Sequence, residues 1–214
     1  MSETIDWAAL RADHPVLAHV PTALRKAATR AVLKQGDPVF RAGDRVTAVL
    51  YLLSGELRLV RRSRKGTEIV LQRSRSGFFA EASMDAGRYH CDAVAGETGD
   101  LLRFPARLFR EALASDAMFR NAWMAHLARE LRRLRAQCER LSLKSATDRI
   151  LHYLESEGSD GVVTLMQTKK TWAAELGLSH EALYRALRRL EEENVIHADH
   201  GQITLLQSAG AQGR

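Results

Sequence analysis

Cysteine is nearly missing from this chain: Cys91 and Cys138 are its only two thiols. Two thiols exclude a disulfide framework and a four-cysteine zinc or iron–sulfur centre built from one chain, so no iron–sulfur cluster is expected. No apolar run approaches the roughly 20 residues needed to span a bilayer, and the opening MSETIDWAALRADHP lacks a basic-then-apolar leader pattern. A cytoplasmic protein with no membrane partner is therefore expected. Also absent are a nucleophile-elbow serine, a phosphate-binding glycine loop and a zinc-protease signature, which argues against an enzyme. His14 and His19 lie close in sequence but without accompanying carboxylates or thiols, so they read as surface histidines and no metal site is expected.

Charge is informative mainly by its distribution. The whole chain carries a formal net charge of +6 with 45% apolar residues, an ordinary folded composition with a basic bias that suggests an acidic partner. From Lys144 onward, however, eight Lys and Arg face ten Asp and Glu, a balance of −2. Any contact with nucleic acid in that region must come from local clusters, Lys169–Lys170 and Arg185, Arg188, Arg189, with the acidic Glu191–Glu193 run turned away.

Those clusters sit in the most informative stretch, KKTWAAELGLSHEALYRALRR, Lys169 to Arg189. Trp172, Ala173, Leu176, Leu178, Leu183 and Ala186 are spaced for the facing sides of two crossing helices, with Gly177 where the chain must reverse. Ser179 can cap the second helix, which the pattern runs over 180–193, and Gly177 can close the first in a left-handed conformation. On the second helix His180, Glu181, Tyr184, Arg185 and Arg188 recur on the face opposite Leu183, Leu187 and Leu190. Arginine can donate two hydrogen bonds to guanine and glutamate can accept one from cytosine, so this face has base-reading chemistry. The plainer reading is an amphipathic helix pair with a solvated charged face; the coincidence of turn glycine, cap serine and small Ala173 favours DNA binding. Val195–Ile196, a turn over His197 to Gly201 and Ile203 to Leu206 read as a following hairpin, making a winged helix-turn-helix.

Upstream, WAALRADHPVLAHV and PTALRKAATRAVL are two short helical patterns separated by Pro21. From Val32 to Phe104 the chain becomes short β-rich runs, VLYLL, ELRLVRR, EIVLQR, CDAVA and DLLRF, punctuated by Gly36-Asp37, Gly43-Asp44, Ser54-Gly55, Lys65-Gly66 and Ser76-Gly77. That rhythm indicates an antiparallel sandwich or barrel, and the alternation in Glu56 to Arg62 suggests one buried and one wet face. From about Asp116 to Leu143 one long helix is expected. Its Met124, Leu127, Leu131, Leu134, Cys138 and Leu141 alternate at three and four residues, a heptad seam through which two copies can pair. Arg129, Arg132, Arg133, Arg135 and Arg140 flank the seam as a solvated face. Lys144 to Asp148 then breaks the helix, with Ser145 or Thr147 as a cap for the next, and forms a candidate hinge.

The run Phe40-Arg-Ala-Gly-Asp44 followed by Leu50-Tyr-Leu-Leu-Ser-Gly-Glu-Leu-Arg-Leu59 resembles the β-roll of the Crp–Fnr superfamily of bacterial transcription regulators. The order of roll, long helix and winged helix-turn-helix agrees from about Val32 to Leu206. The resemblance implies an α+β fold with an N-terminal antiparallel, cupin-like β-roll of the cyclic-nucleotide-binding type over 1–114, a dimerisation helix over 115–143, a winged helix-turn-helix over 144–206 and a disordered tail over 207–214. It further implies a homodimeric regulator of transcription, activator or repressor, that inserts one helix per subunit into successive major grooves of a pseudo-palindromic site. Double-stranded DNA is the partner this resemblance implies, with RNA polymerase a further candidate. Arg185 and Glu181 match the family's base-reading positions; His180 replaces an arginine common in cAMP-responsive members, and Tyr184 a small residue. Lys169, Lys170, Ser179 and Arg188 complete the expected DNA-binding set.

At the effector position, cyclic-nucleotide-binding members carry a Gly-Glu pair and, about ten residues on, an Arg-Ser or Arg-Thr pair for the cyclic phosphate. Here Ala80-Glu81 and His90-Cys91 correspond, with Arg88 nearby but out of register, and Leu134 and Arg135 stand where hydroxyl side chains would meet the base. Phosphate clamp and base contacts are lost together, so cAMP is not the expected effector, whose identity stays open. Glu81 either contacts a ligand, caps its short helix or pairs with Arg88. The alternative is a haem- or thiol-based sensor: His90 and Cys91 are competent haem ligands, and haem-containing members use Cys and His near this region. Against it, Cys91 also fits as a small buried side chain in a strand, and Cys138 as a packed residue of the seam rather than a regulatory disulfide.

Overall fold

The computed structural model describes residues 5–62, 64, 68–165 and 167–206. The turn expected at Lys65-Gly66 and the tail over 207–214 lie outside the described residues. The chain divides into two compact units, Met1–His126 and Leu127–Arg214.

The first unit opens with α1 (Trp7–Asp13), a 3-10 turn over Pro15–His19 and α2 (Thr22–Ala27). Asp6 caps α1, accepting from the backbone amides of Ala8 and Ala9. The helical pattern expected to continue beyond Ala27 stops there. Ala28 is extended (ψ 144°), and Thr29–Leu33 forms β1 because its backbone pairs antiparallel with β8 (Gly99–Pro105). A cross-strand partner overrides weak helical periodicity. The remaining strands are β2 (Pro38–Phe40), β3 (Ala48–Leu52), β4 (Glu56–Arg62), β5 (Glu68–Ser74), β6 (Gly77–Phe79) and β7 (Asp92–Glu97). Two antiparallel four-stranded sheets result, ordered β1-β8-β3-β6 and β2-β7-β4-β5.

The first of these sheets is apolar on both faces, which explains why VLYLL does not alternate. Leu50 and Leu52 join Phe79, Leu101 and residues of the second sheet (Leu57, Leu59, Ala93) in one core. Val49 and Tyr51, pointing the other way, join Phe78, Leu102 and Phe104 in another, against Leu17, Leu24, Phe109, Phe119 and Trp123. In β4 the expected alternation fails at a bulge between Leu59 and Val60, which leaves both buried. Glu56, which the alternation puts on the wet face with Arg58, is also buried and accepts from Arg73 (2.9 Å) and Arg75 (3.2 Å).

A helix not anticipated from the sequence, α3 (Ala106–Ser115), follows β8 and inserts Phe109 into the second core. The long helix α4 runs over Ala117–Ser142. Asp116 caps it by accepting from the Phe119 amide (2.9 Å).

In the second unit, α5 (Ala146–Glu157) starts at Ser145, whose hydroxyl accepts from the Asp148 amide (3.0 Å). Then come β9 (Val162–Thr164), α6 (Lys169–Glu175), α7 (His180–Glu192), β10 (Ile196–Asp199) and β11 (Gln202–Leu205). The hairpin turns on His200 (φ 44°) and Gly201 (φ 86°), the two left-handed residues a tight twisted hairpin needs. It is completed to three strands, ordered β10-β11-β9. Trp172, Leu176, Leu183, Leu187, Leu190, Ile150 and Leu154 form the unit's core with Ile196 and Ile203 of the wing. No described helix is long and apolar enough to cross a membrane.

Candidate nucleic-acid interface and effector region

The helix-turn-helix is built by local signals. Thr168 caps α6, accepting from the Thr171 amide, and Ser179 caps α7, accepting from the Ala182 amide (3.1 Å). Between them Gly177 sits at φ 64°, the Gly177 amide donates to the Ala174 carbonyl (3.1 Å) and the Leu178 amide to that of Ala173 (2.8 Å). This is the paired hydrogen bonding of a Schellman turn, so the glycine is required by its left-handed backbone.

The orientation of α7 follows its pattern. Leu183, Ala186, Leu187 and Leu190 are buried, while His180, Glu181, Tyr184, Arg185 and Arg188 are exposed. Arg185 makes no ion pair among the described residues. Three neighbours form an assembly: the Lys169 ammonium lies 5.0 Å from the Tyr184 ring centroid, and the His180 ring meets Tyr184 edge-on at 4.6 Å. The acidic run is not simply turned away. Glu192 accepts from Arg188 (2.8 Å) and Glu193 from Arg189 (2.7 Å), each one helical turn along. Exposed pairs of this kind are worth little, so Arg188 can exchange its partner for a phosphate.

Arg149, which sequence reasoning passed over, ties this turn to the end of α4. Its guanidinium donates to the carbonyls of Leu143 (2.9 Å), Leu141 (3.3 Å), Leu176 (3.1 Å) and Gly177 (3.0 Å). One cation thus satisfies the orphan carbonyls of two helix ends, where a positive charge is favoured.

On α4 the seam residues are uncovered in the single chain: Met124 is 61% exposed, Leu127 39%, Leu131 51%, Leu134 47% and Leu141 43%, and Cys138 is exposed too. The expectation of a solvated arginine face holds for Arg129, Arg132, Arg133 and Arg135 but not for Arg140, which is 1% exposed. Arg140 donates to Glu157 (3.1 Å) and Ser156 (3.0 Å), and its guanidinium carbon lies 4.6 Å from the Tyr153 ring centroid. The α5 helix covers it, which spacing along α4 does not reveal.

In the roll, Glu81 begins a 3-10 turn over Glu81–Ser83, after Ala80 at φ 62°. Glu81 neither caps that turn nor meets Arg88. It lies 2.7 Å from Nε2 of His126, both side chains being about nine-tenths buried, and the imidazole stands against Phe78 and Trp123. Arg88 instead donates to the Gly43 carbonyl (2.6 Å). His126 was not singled out from sequence, although its signal is there. Phe119, Trp123 and His126 share one helical face, and a polar residue on an apolar stripe needs a buried partner.

His90 and Cys91 do not form a common ligand set. His90 is exposed, with Nδ1 2.8 Å from the Ser83 hydroxyl, whereas Cys91 is 1% exposed within the inter-sheet core. Burial pushes the Cys91 thiol above its ordinary range, more than the nearby Arg61 lowers it, so it is held protonated and shielded. A disulfide-exchange reagent should therefore leave Cys91 unmodified in the native protein, even in a Cys138→Ser background, and reach it only after denaturation. Rapid labelling of Cys91 in the native protein would contradict its burial. The sign for pH follows: the unfolded thiol ionises first, so this group's contribution to stability is full at lower pH and fades as pH rises above the ordinary thiol range.

With roll, seam and helix-turn-helix in place, the chain belongs to the Crp–Fnr family of transcription regulators. A cyclic nucleotide-binding domain matches over residues 30–116 and a Crp-like helix-turn-helix domain over residues 148–210. The chain is 32% identical over 188 residues to the cyclic AMP receptor protein of Thermus thermophilus, covering 84% of this chain and 85% of that one. It is 26% identical to the transcriptional activator protein FnrA of Stutzerimonas stutzeri, covering 83% and 77%. The structure of FixK2 from Bradyrhizobium japonicum shares the fold, with a TM-score of 0.65 at 20% identity over 84% of this chain and 93% of that one. Membership of this family makes the protein a regulator rather than a member of an enzyme class.

Proposed function

We propose that this protein acts as a homodimer that reads a pseudo-palindromic DNA site with one α7 helix per subunit, under an effector other than cAMP. The observation that carries the reading is α7 itself: a capped helix whose apolar face is wholly buried and whose opposite face offers His180, Glu181, Tyr184 and Arg185 to a groove. Arg185 and Glu181 read base edges, the guanidinium donating to a guanine and the carboxylate accepting from a cytosine. Lys169, Lys170, Arg188 and the backbone near Ser179 hold phosphates, which positions the helix and makes affinity salt-dependent. The uncovered seam from Met124 to Leu141 pairs two such chains.

The roll does not fit a cyclic nucleotide well. The carboxylate expected on the ribose hydroxyls is engaged by His126, and His90 stands where the phosphate-binding arginine would be. The nearby Arg88 is committed to a backbone carbonyl. Thermal melts with cAMP and cGMP should accordingly show no rise in Tm, since only a ligand bound by the folded state raises it.

The DNA reading is tested by selecting a site from a randomised palindrome library and titrating it in mobility shifts. Arg185→Ala should weaken binding by about 1–3 kcal/mol and relax preference at one base pair per half-site. Unchanged affinity and preference would refute the assignment.

A further inference from the structure

Two rows of side chains run next to each other along the exposed face of α7. Glu181, Arg185 and Arg188 form one at helical spacing, and His180 and Tyr184, one turn apart, form the other. The first row is charged and the second aromatic. Tyr184 is 45% exposed, on a helix whose leucines are all buried, and it is the one exposed tryptophan, tyrosine or phenylalanine among the described residues. Its ring is supported on two sides. The Lys169 ammonium reaches it from α6, 5.0 Å from the centroid, and the His180 ring meets it at 4.6 Å and 61°. A cation near an aromatic ring and a neighbouring ring set edge-on both hold it in place, so its ordering is met before any ligand arrives.

The chemistry of a major groove limits what such a ring can meet. Base edges there offer hydrogen-bond donors and acceptors, which suit the charged row, and one apolar group, the C5-methyl of thymine. 5-Methylcytosine carries the same methyl at the same place, whereas cytosine and uracil carry a hydrogen. We propose that Tyr184, positioned by Lys169 and His180, packs against the C5-methyl group of a pyrimidine, thymine or 5-methylcytosine, next to the base pair read by Arg185. This rests on the DNA reading above and adds methylation of the site as something the protein senses. It also gives Lys169 a positioning role besides any phosphate contact. Where the family resemblance puts a small residue, this chain has an aromatic surface large enough to cover a methyl group.

The test uses the full chain and the palindromic site selected for it, altered in one half-site and titrated in mobility shifts. Replacing each thymine in turn by deoxyuridine removes a methyl group and nothing else. At one position, next to the base pair whose preference Arg185→Ala relaxes, this should weaken binding about fourfold, the worth of one buried methyl group. With cytosine placed at that position, 5-methylcytosine should bind about fourfold more tightly than cytosine. Both effects together assign the contact to the methyl group on either base, and a deoxyuridine effect alone assigns it to thymine. Tyr184→Phe should keep the difference and Tyr184→Ala should abolish it, with the preference due to Arg185 intact in both; Lys169→Met should fall between them. No deoxyuridine effect at any thymine of the half-site, or an effect that survives Tyr184→Ala, would overturn the contact while the DNA reading stands. A chain that selects no site would overturn the DNA reading itself, and the methyl contact with it.

Discussion

Trp172→Ala is expected to cost about 3–5 kcal/mol, a large fraction of the stability of a small domain. Trp172 is fully buried at the centre of the second unit's core, where its ring meets Tyr153 at 5.4 Å and packs with the helices that form the helix-turn-helix. Truncation leaves an apolar cavity between α6 and the core-facing leucines of α7, so α7 loses part of the support that orients its polar face. Its indole Nε1 is buried without a hydrogen-bond partner among the described residues. Trp172→Phe therefore removes an orphan donor along with some volume and should cost far less, on the order of 1 kcal/mol. Urea titrations followed by circular dichroism check both. A Trp172→Ala protein as stable as Trp172→Phe would mean that packing at this position is not what holds the unit together.

The second large effect is electrostatic. Arg140 is buried, and Glu157 is its anionic partner. Glu157→Leu strands the cation with only Ser156 and the Tyr153 ring and should cost about 3 kcal/mol, the penalty of an unpaired buried charge. Arg140→Met together with Glu157→Leu removes both charges and should recover most of that loss, because burying an ion pair gains little over packing two apolar side chains. The same titrations decide it: a double variant less stable than Glu157→Leu would show that Arg140 contributes more through Ser156 and Tyr153 than through its charge pair. Both experiments concern the scaffold of α7, so a loss of DNA binding in either should track the fraction unfolded.

Local chemistry was legible in advance where it closes within a few residues. Gly177 with Ser179 marked the helix-turn-helix because a left-handed turn and an N-cap are satisfied by neighbouring backbone. The heptad from Met124 to Leu141 was legible because a helix repeats its faces. The strands at Ala48–Leu52 and Asp92–Glu97 announced themselves by apolar residues between turn signals. Periodicity failed where a distant strand decided the outcome, as at Thr29–Leu33, whose structure comes from pairing with β8.

The sequence by itself determined the capped helices and left-handed turn of the helix-turn-helix, and which side chains of α7 lie opposite its apolar face. Only tertiary structure decided which polar groups meet. Glu81 finds His126, 45 residues away, rather than Arg88 seven residues away. Arg140 is buried by a helix that follows it, and Arg149 gathers carbonyls from two helix ends. Spacing along the chain specifies the face on which a side chain lies, but a buried charge must be matched by whatever group folding brings within hydrogen-bond reach. That proximity is a property of the packed core and of no local pattern.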